Sequence, residues 1–581
     1  MKRKILMVYP EIPPTYWSFR YAMRFTGKKA AFPPLGLLTV AALMPPDYDV
    51  AVVDMNARPL LDDDIAKADA VFISAMVVQR DSFERVVRRC REHGKTVVAG
   101  GPFPTSFHDS IEGVDHFVLN EAESTLPLFL KDWEQGEAKR LYEDASKPDI
   151  TKTPPPRFDL IRLSDYSSMA LQYSRGCPHE CEFCDITHLF GRIPRVKTPE
   201  QFLKEMDILY AASYRGPLFI VDDNFIGNRA SARALLPQIA KWQRERGYPF
   251  DLFTEVTLGL AGDEKLMGLM AEAGFTMVFA GIETPVEESL AETKKWQNLK
   301  MDMRESVLRI QAKGMEVSGG FILGFDADPP DIFERQFRFI SETAIPTAMV
   351  GLLTAMPHTR LHQRLRGEGR LLADSSGNNT HDFAINFRAA MDNGVLVDGY
   401  KRLLARLYAP RAYFDRCLAL LKRLGPRRRL NLRLNPGDVR ALFLSMIVQT
   451  FSGYGREYWR FIARAIIRRP WMAAEAVALA IKGHHFIVIT RQILEVESIK
   501  SRLGKFLDGC RKWDGAASRH ELERGLNQLK AYRDEAMPRL RKEARRLNSD
   551  FRRYAEEALA SCRAAIEERI AAMSRQMKMT G

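Results

Sequence analysis

The sequence predicts an α/β protein: two successive parallel-sheet domains followed by a mostly α-helical region. Three observations carry that expectation. Short apolar runs alternate with helical segments from residue 3 to about 130, and again from about 170 to 365. Continuous apolar runs of this kind suit parallel strands covered on both faces. Between the two series lies EDASKPDITKTPPPRFDL (143–160), polar and proline-rich, which reads as a linker. After about 370 the pattern changes. SSGNNT (375–380) marks a break, and long charged amphipathic runs follow it.

The first series opens with ILMVY as a strand. LGLLTVAALM is a helix introduced by Pro33-Pro34, since proline suits a helix start. VAVVDM and AVFISAMV are strands. The helix around SFERVVRRCREHG ends at Gly94. TVVAGGP and HFVLNEAE complete a doubly wound sheet, whose ligands bind outside the carboxyl ends of its strands. In the second series the strands are MALQYSRG, PLFIVDD, FDLFTEV, MVFAGIE, EVSGGFILGF and AMVGLLTAM. Six βα units make a partial (β/α)6 TIM-like barrel, with its chemistry at the strand C-terminal ends.

A chain of 581 residues suits about three or four domains. With 27% charged and 46% hydrophobic residues it is an ordinary folding chain and not a disordered tail. Its seven cysteines are an odd number, and four of them, Cys90, Cys417, Cys510 and Cys562, stand alone. A disulfide framework is dense and usually even, so a reducing cytoplasm fits better. MKRKILMVYP reads as a first strand, because its apolar run is too short for a signal peptide. No transmembrane segment is expected. The nearest, WMAAEAVALAIKGHHFIVIT (471–490), is broken by Glu475, Lys482, His484 and His485 and reads as a helix followed by a short apolar segment. The net charge of +13 gathers late, as in RLGPRRRLNLRLNP (423–436). Such a surface suits a solvated face, an anionic lipid or an acidic partner, and nucleic acid is disfavoured for want of any accompanying motif.

RGCPHECEFCDI places Cys177, Cys181 and Cys184 within eight residues. Structural zinc takes four ligands, usually as two separated pairs, and no second pair is present. Buried structural cysteines have no reason to cluster at this spacing. An iron–sulfur cluster is held by thiolates. Three thiolates on one loop leave one iron of a [4Fe–4S] cluster open to a substrate or cofactor.

The C-x3-C-x-aromatic-C spacing resembles the signature of the radical S-adenosylmethionine (radical SAM) superfamily. The resemblance implies that SAM chelates the open iron and is cleaved to methionine and a 5′-deoxyadenosyl radical, with Phe183 beside the adenine. It places further SAM contacts on strand ends. Asp222, Asp223 and Asn224 of FIVDDNF would take the ammonium group, and Glu255 of DLFTEV the ribose. Glu283 of GIETP is a further cofactor contact or a structural ion pair. GGFILGFD (319–326) resembles the segment that approaches adenine.

The N-terminal series resembles the cobalamin-binding, Rossmann-like domain that precedes the radical domain in one class of this superfamily. The matching positions are Pro10, Leu37 in FPPLGLL, Ser74 and Ala75, Gly100, Gly101 and Pro102, and Glu121 in VLNEAEST. In that last segment, Asn120 and Ala122 replace two family glycines. No D-x-H-x-x-G motif is present, which implies cobalamin without a histidine ligand. NFRAAMDNGVLVDGYKRLLARLYAPRAYFDR (386–416) resembles the helical extension of proteins related to hopanoid C-2 methylases. Asn386 and Tyr400 are candidates to line a substrate pocket, or simply to pack. The aromatic run 9–25 is open between lining an apolar mouth and packing between domains.

The expected boundaries are 1–142 for the cobalamin domain, 143–165 for the linker, 166–368 for the radical SAM domain and 369–581 for the helical extension. The resemblance implies a C-methyltransferase. The deoxyadenosyl radical would activate an unactivated carbon of a small-molecule or lipid substrate, and methylcobalamin would deliver the methyl group. A flavodoxin, ferredoxin or reductase would supply electrons, and the basic C-terminal surface would allow peripheral membrane contact. Two other readings stand beside it: a cobalamin-dependent cyclase or oxidoreductase without methyl transfer, and a non-catalytic redox or RNA-binding protein.

Overall fold

The computed structural model describes residues 2–579 apart from 374, 376, 378–382, 384, 427–435 and 514–517, with the backbone alone at 436, 512 and 579. The break at SSGNNT and the basic run 423–436 therefore fall largely outside the described residues.

The N-terminal sheet has six parallel strands: β1 (Lys4–Tyr9), β2 (Asp49–Asp54), β3 (Ala70–Ser74), β4 (Thr96–Gly100), β5 (His116–Val118) and β6 (Leu141–Tyr142), in the order β2-β1-β3-β4-β5-β6. Five were predicted. The two-residue β6 follows charged sequence and pairs with β5 at the sheet edge. The sheet is doubly wound, with separate apolar cores on its two faces. Val8, Val71, Ile73 and Ala99 pack on one, and Ile5, Met7, Phe72 and Val98 on the other.

The end of the linker and the residue after it are fixed to this domain. Tyr166 Oη donates to the buried Asp54 carboxylate at 3.1 Å, and Lys29 N donates to Asp165 O at 2.7 Å.

The run MALQYSRG divides into β7 (Met169–Leu171) and β8 (Ser174–Arg175). The cut comes where Tyr173 N turns away to donate to Asp222 Oδ1 at 2.7 Å. β8 pairs antiparallel with β9 (Arg195–Val196), and this small ribbon closes the cysteine loop. The main sheet continues with β10 (Gly216–Ile220), β11 (Phe250–Val256), β12 (Phe275–Glu283), β13 (Glu316–Leu323) and β14 (Ala348–Leu352), in the order β14-β13-β12-β11-β10-β7. All are parallel, as the partial barrel requires. Its helices start on good caps, such as Thr198 before Pro199 and Thr359 before Arg360.

Beyond β14 the described chain is mostly helical, apart from an irregular stretch after Gly367 in which Leu371 and Phe387 form an antiparallel bridge. Residues Ala473–Cys510 form one unbroken helix, so the short apolar segment expected after a helix within 471–490 is part of that same helix. Gly483 makes room for Tyr413 within this helix: a Cβ there would stand 2.3 Å from the Tyr413 ring. By length and composition the helix Pro470–Cys510 could span a membrane, although 56% of its most apolar window is buried in the fold. The chain divides into two compact units, Met1–His485 and Phe486–Gly581. In the second, helices Arg519–Ala531 and Ser549–Met579 pack together. All seven cysteines are free thiols.

Candidate active site

The cysteine loop leaves the β8–β9 ribbon at Gly176, whose φ is +97°. A Cβ there would meet the carbonyl oxygens of Gly191, Phe190 and Ile193 at 2.9, 3.1 and 3.1 Å, so only glycine fits. The loop is then held along its length. Cys177 N donates to Gly191 O at 3.2 Å, and Cys184 N to Cys181 O at 3.1 Å. Glu180 pairs with Arg192 and with Arg360, the latter at 3.0 Å. Glu182 accepts from Arg364 Nε at 2.9 Å. Arg360 and Arg364 sit one turn apart on helix Arg360–Gly367, so a single helix face reaches both glutamates.

The three thiols open into a cavity of about 320 Å³ at the C-terminal ends of the strands. Among the described residues, no three His, Cys, Asp or Glu groups gather tightly enough for a single metal ion. Thiols that ring one cavity without converging suit a cluster in which each iron takes its own thiolate. Burial pushes the thiols of Cys177 and Cys184 up, so their thiolates need a cationic partner such as iron. Gln297 Nε2 lies 3.4 Å from Cys181 Sγ and Asn224 Nδ2 lies 4.0 Å from Cys177 Sγ, as donors to thiolate sulfur would.

The other candidate residues divide. Asp223, Asn224, Glu255, Glu283 and Phe183 all line the cavity. Asn224 Oδ1 is buried with no partner on the chain, an acceptor suited to an ammonium group. Asp223 accepts from Gly176 N at 3.0 Å, and burial pushes its carboxyl up to about 6. Glu255 is pushed up to about 8, first by burial and then by Asp223, Asp222 and Glu283. Asp222 lies elsewhere. It is fully buried off the cavity, and its two oxygens accept from Tyr173 N and Ser174 Oγ at 2.7 Å each. It fixes the chain that leads into the cysteine loop.

Glu283 pairs with Lys295, a residue that sequence reasoning missed. Its backbone has φ +64°, an unusual value for a non-glycine residue. Lys295 Nζ stands 5.9 Å from the Phe183 ring centroid; burial pulls its ammonium down, but Glu283 together with Cys181 and Cys184 pushes it up overall. Gly281 makes room for this pair: a Cβ there would lie 2.5 Å from Glu283 Oε1 and 2.8 Å from Lys295 Nζ. Of the segment 319–326, Gly320, Phe321 and Ile322 reach the cavity. Trp17 lines it as well, tilted against Phe279 at 5.1 Å, while its neighbour Tyr16 stacks in the core on Tyr408.

The cobalamin candidates gather only in part. Gly101, with φ +87°, brings β4 against β3, since a Cβ there would lie 2.6 Å from Ser74 Oγ and 3.3 Å from Ala75 N. Gly100 lies as closely on Val118 O, and Pro102 opens helix Pro102–Phe107. Pro10 O accepts from Gln79 and Asn56 near these strand ends. Leu37 is buried in the core on one face of the sheet. Glu121 is committed elsewhere: it accepts from Arg175 Nη1 at 2.7 Å and from Arg195 Nη2 at 2.7 Å. Beside it, Asn120 holds φ +61° where the resembling family has glycine, and its Oδ1 is buried with no partner on the chain. That orphaned acceptor at the strand ends fits a ligand that brings an N–H donor. Neither extension candidate lines the cavity. Asn386 clamps Ala355 through two backbone hydrogen bonds, and Tyr400 Oη donates to Val350 O at 2.8 Å behind β14.

Comparison with known proteins agrees with this architecture. Residues 29–130 match the B12 binding domain, 171–340 the Radical SAM superfamily and 359–498 a domain of unknown function. An uncharacterised methyltransferase of Synechocystis sp. is 40% identical over 83% of this chain and 91% of its own. The hopanoid C-2 methylase of Rhodopseudomonas palustris is 34% identical over 84% of this chain and 94% of its own. In fold, the chain is similar to the cobalamin-dependent S-adenosylmethionine radical enzyme OxsB, solved with aqua-cobalamin and S-adenosylmethionine bound. The TM-score is 0.56 at 16% identity, covering 91% of this chain and 83% of that one. With a three-thiol loop, a strand-end cavity and a B12-type sheet in one chain, this protein belongs to the cobalamin-dependent radical SAM methyltransferase family, whose cofactors are a [4Fe–4S] cluster, SAM and cobalamin.

Proposed function

We propose that this protein is a C-methyltransferase acting on an unactivated carbon of an apolar small molecule or lipid. The observation that carries the reading is the mixed lining of one cavity: the three thiols with Asp223, Asn224 and Glu255, together with the apolar side chains of Trp17, Phe279, Phe321, Ile322, Met349 and Val350. When bound, the cofactors supply a deoxyadenosyl radical and a transferable methyl group.

The chain's own residues do the rest. Asn224 Oδ1 and Asp223 accept from the cationic end of SAM. Glu255, largely neutral near pH 7, donates to a hydroxyl or accepts once a cation draws off its proton. The Glu283–Lys295 pair fixes the wall behind Phe183. The aromatic side chains orient an apolar substrate and keep other solutes out, so that a radical formed there meets the substrate C–H bond first. The named activity of the hopanoid relative supports a polycyclic isoprenoid lipid as substrate. A flavodoxin, ferredoxin or dedicated reductase would deliver the electron. Methyltransferase names among the relatives favour methyl transfer over ring closure.

The test is anaerobic reconstitution with iron, sulfide and hydroxocobalamin, followed by SAM, a strong reductant and a panel of polycyclic lipids. A methylated lipid, formed with deoxyadenosine and lost in the Cys177→Ala, Cys181→Ala, Cys184→Ala variant, supports the reading. Deoxyadenosine with an oxidised or cyclised lipid and no added methyl group would overturn it.

A further inference from the structure

We propose that a helical hairpin at 436–472 docks this protein onto an anionic membrane surface. The hairpin consists of helices Pro436–Thr450 and Gly455–Arg468, followed by the turn Pro470–Met472. Its inner face is covered. Ala441, Ser445 and Gln449 of the first helix are buried, as are Tyr458, Phe461, Ile462 and Ala465 of the second. Ser445 Oγ and Tyr458 Oη meet at 3.3 Å across the hairpin.

The outer face is apolar and bare. Ten of the nineteen exposed large hydrophobic side chains in the described residues lie within 439–471, a small fraction of the chain. Phe451 is 87% exposed, Ile467 80%, Phe443 58% and Trp471 57%. On the first helix, Val439, Phe443 and Ile447 recur at four-residue steps and form one stripe. A concentration of exposed apolar side chains of this kind marks an interaction surface.

The charge beside the patch selects the partner. Arg456, Arg460, Arg464 and Arg468 also recur every four residues, in a stripe adjoining Trp459, Ala463 and Ile467. Between 437 and 468 there are five arginines and two acidic residues. Long arginine side chains can lie along an apolar surface and lift their guanidinium groups to phosphate level, while tryptophan settles at the interface. A second copy of the chain would set one arginine stripe against another, whereas an anionic headgroup layer neutralises it.

The surface also adjoins the cavity through a short piece of chain. Ala22 and Phe25 of helix Arg20–Thr26 pack on Ala441 and Leu444 beneath the hairpin, and Trp17, just upstream, lines the cavity. A lipid-resident substrate would thus meet the protein on the side where its active site is supported. The docking proposal deepens the lipid reading and takes its interest from it, but it is tested without turnover.

The test is co-sedimentation of the full chain with vesicles of phosphatidylglycerol and phosphatidylcholine in equal parts, and with phosphatidylcholine alone. Wild type should pellet with the anionic vesicles and be partly released by high salt. The Phe443→Ser, Phe451→Ser, Ile467→Ser variant should lose about tenfold or more in vesicle affinity. An Arg460→Glu, Arg464→Glu variant should lose the salt-sensitive part. These positions are exposed, so melting curves should match wild type. The proposal is overturned if wild type stays in the supernatant, if both variants bind as wild type does, or if light scattering shows a wild-type dimer that the serine variant splits. Membrane binding by a protein that fails to methylate any lipid would leave docking intact and remove the lipid-substrate reading instead.

Discussion

Arg175 and Arg195 stand directly opposite each other on the two strands that close the cysteine loop, and both guanidinium groups bond to Glu121. Like charges paired across a ribbon repel. Glu121, from the N-terminal domain, turns that repulsion into a clamp, and Glu123 adds a second contact to Arg175 at 2.9 Å. The cobalamin-type domain thus holds the root of the loop that carries the three thiols.

Glu121→Ala should therefore act on a cofactor that Glu121 does not touch. It leaves two largely buried guanidinium groups without their shared carboxylate, at a cost of about 3–5 kcal/mol. The expected outcome is a clearly lower melting temperature and reduced iron uptake on reconstitution. Unchanged iron content at full occupancy would show that the ribbon closes without the clamp.

Glu255 gives a pH signature to the metal-free protein. Its folded pKa is raised from 4.5 to about 8, first by burial. The folded chain thus holds a proton that the unfolded chain releases above about 4.5. The stability tied to this proton is complete below that pH and is lost as pH rises through about 8. Wild type should lose melting temperature between pH 5 and pH 8 relative to Glu255→Gln. Parallel pH profiles for the two would contradict the assignment.

Gly281→Ala should lower SAM affinity by about tenfold, since the new methyl group would displace the buried Glu283–Lys295 pair beside the cavity. Equilibrium dialysis against labelled SAM reads this directly. A Glu283→Gln variant, which keeps the shape but weakens the pair, should show a smaller loss.

Gly483→Leu should destabilise the protein by about 3 kcal/mol or more, because the Tyr413 ring fills the space its side chain needs. A melting curve checks this. A tolerated leucine would mean that the long helix can move off Tyr413.

These sites differ in how far they could be read from the sequence. The cysteine loop and the six strands of the second sheet were legible because each is a local pattern: a spacing, or a short apolar run between helical segments. Lys295 was not, since the Lys294-Lys295 pair between two short helices carries no motif, and only folding sets the second of them against Glu283. Asp222 and Asp223 are adjacent and chemically identical, yet one anchors backbone and the other faces the cavity. That follows from which way each side chain leaves the end of β10. The segment 471–490 read as a helix followed by a separate apolar piece, and the structure continues it as one helix in which Gly483 leaves room for the Tyr413 ring.

The cysteine loop is pinned at its root by Glu121, at its middle by Arg192 and Arg360 on Glu180, and near its end by Arg364 on Glu182. A binding loop ordered in advance by ion pairs does not spend its metal's affinity on being ordered. A cluster held on this loop and lost to oxygen should therefore be restored by iron and sulfide without the chain having to fold again.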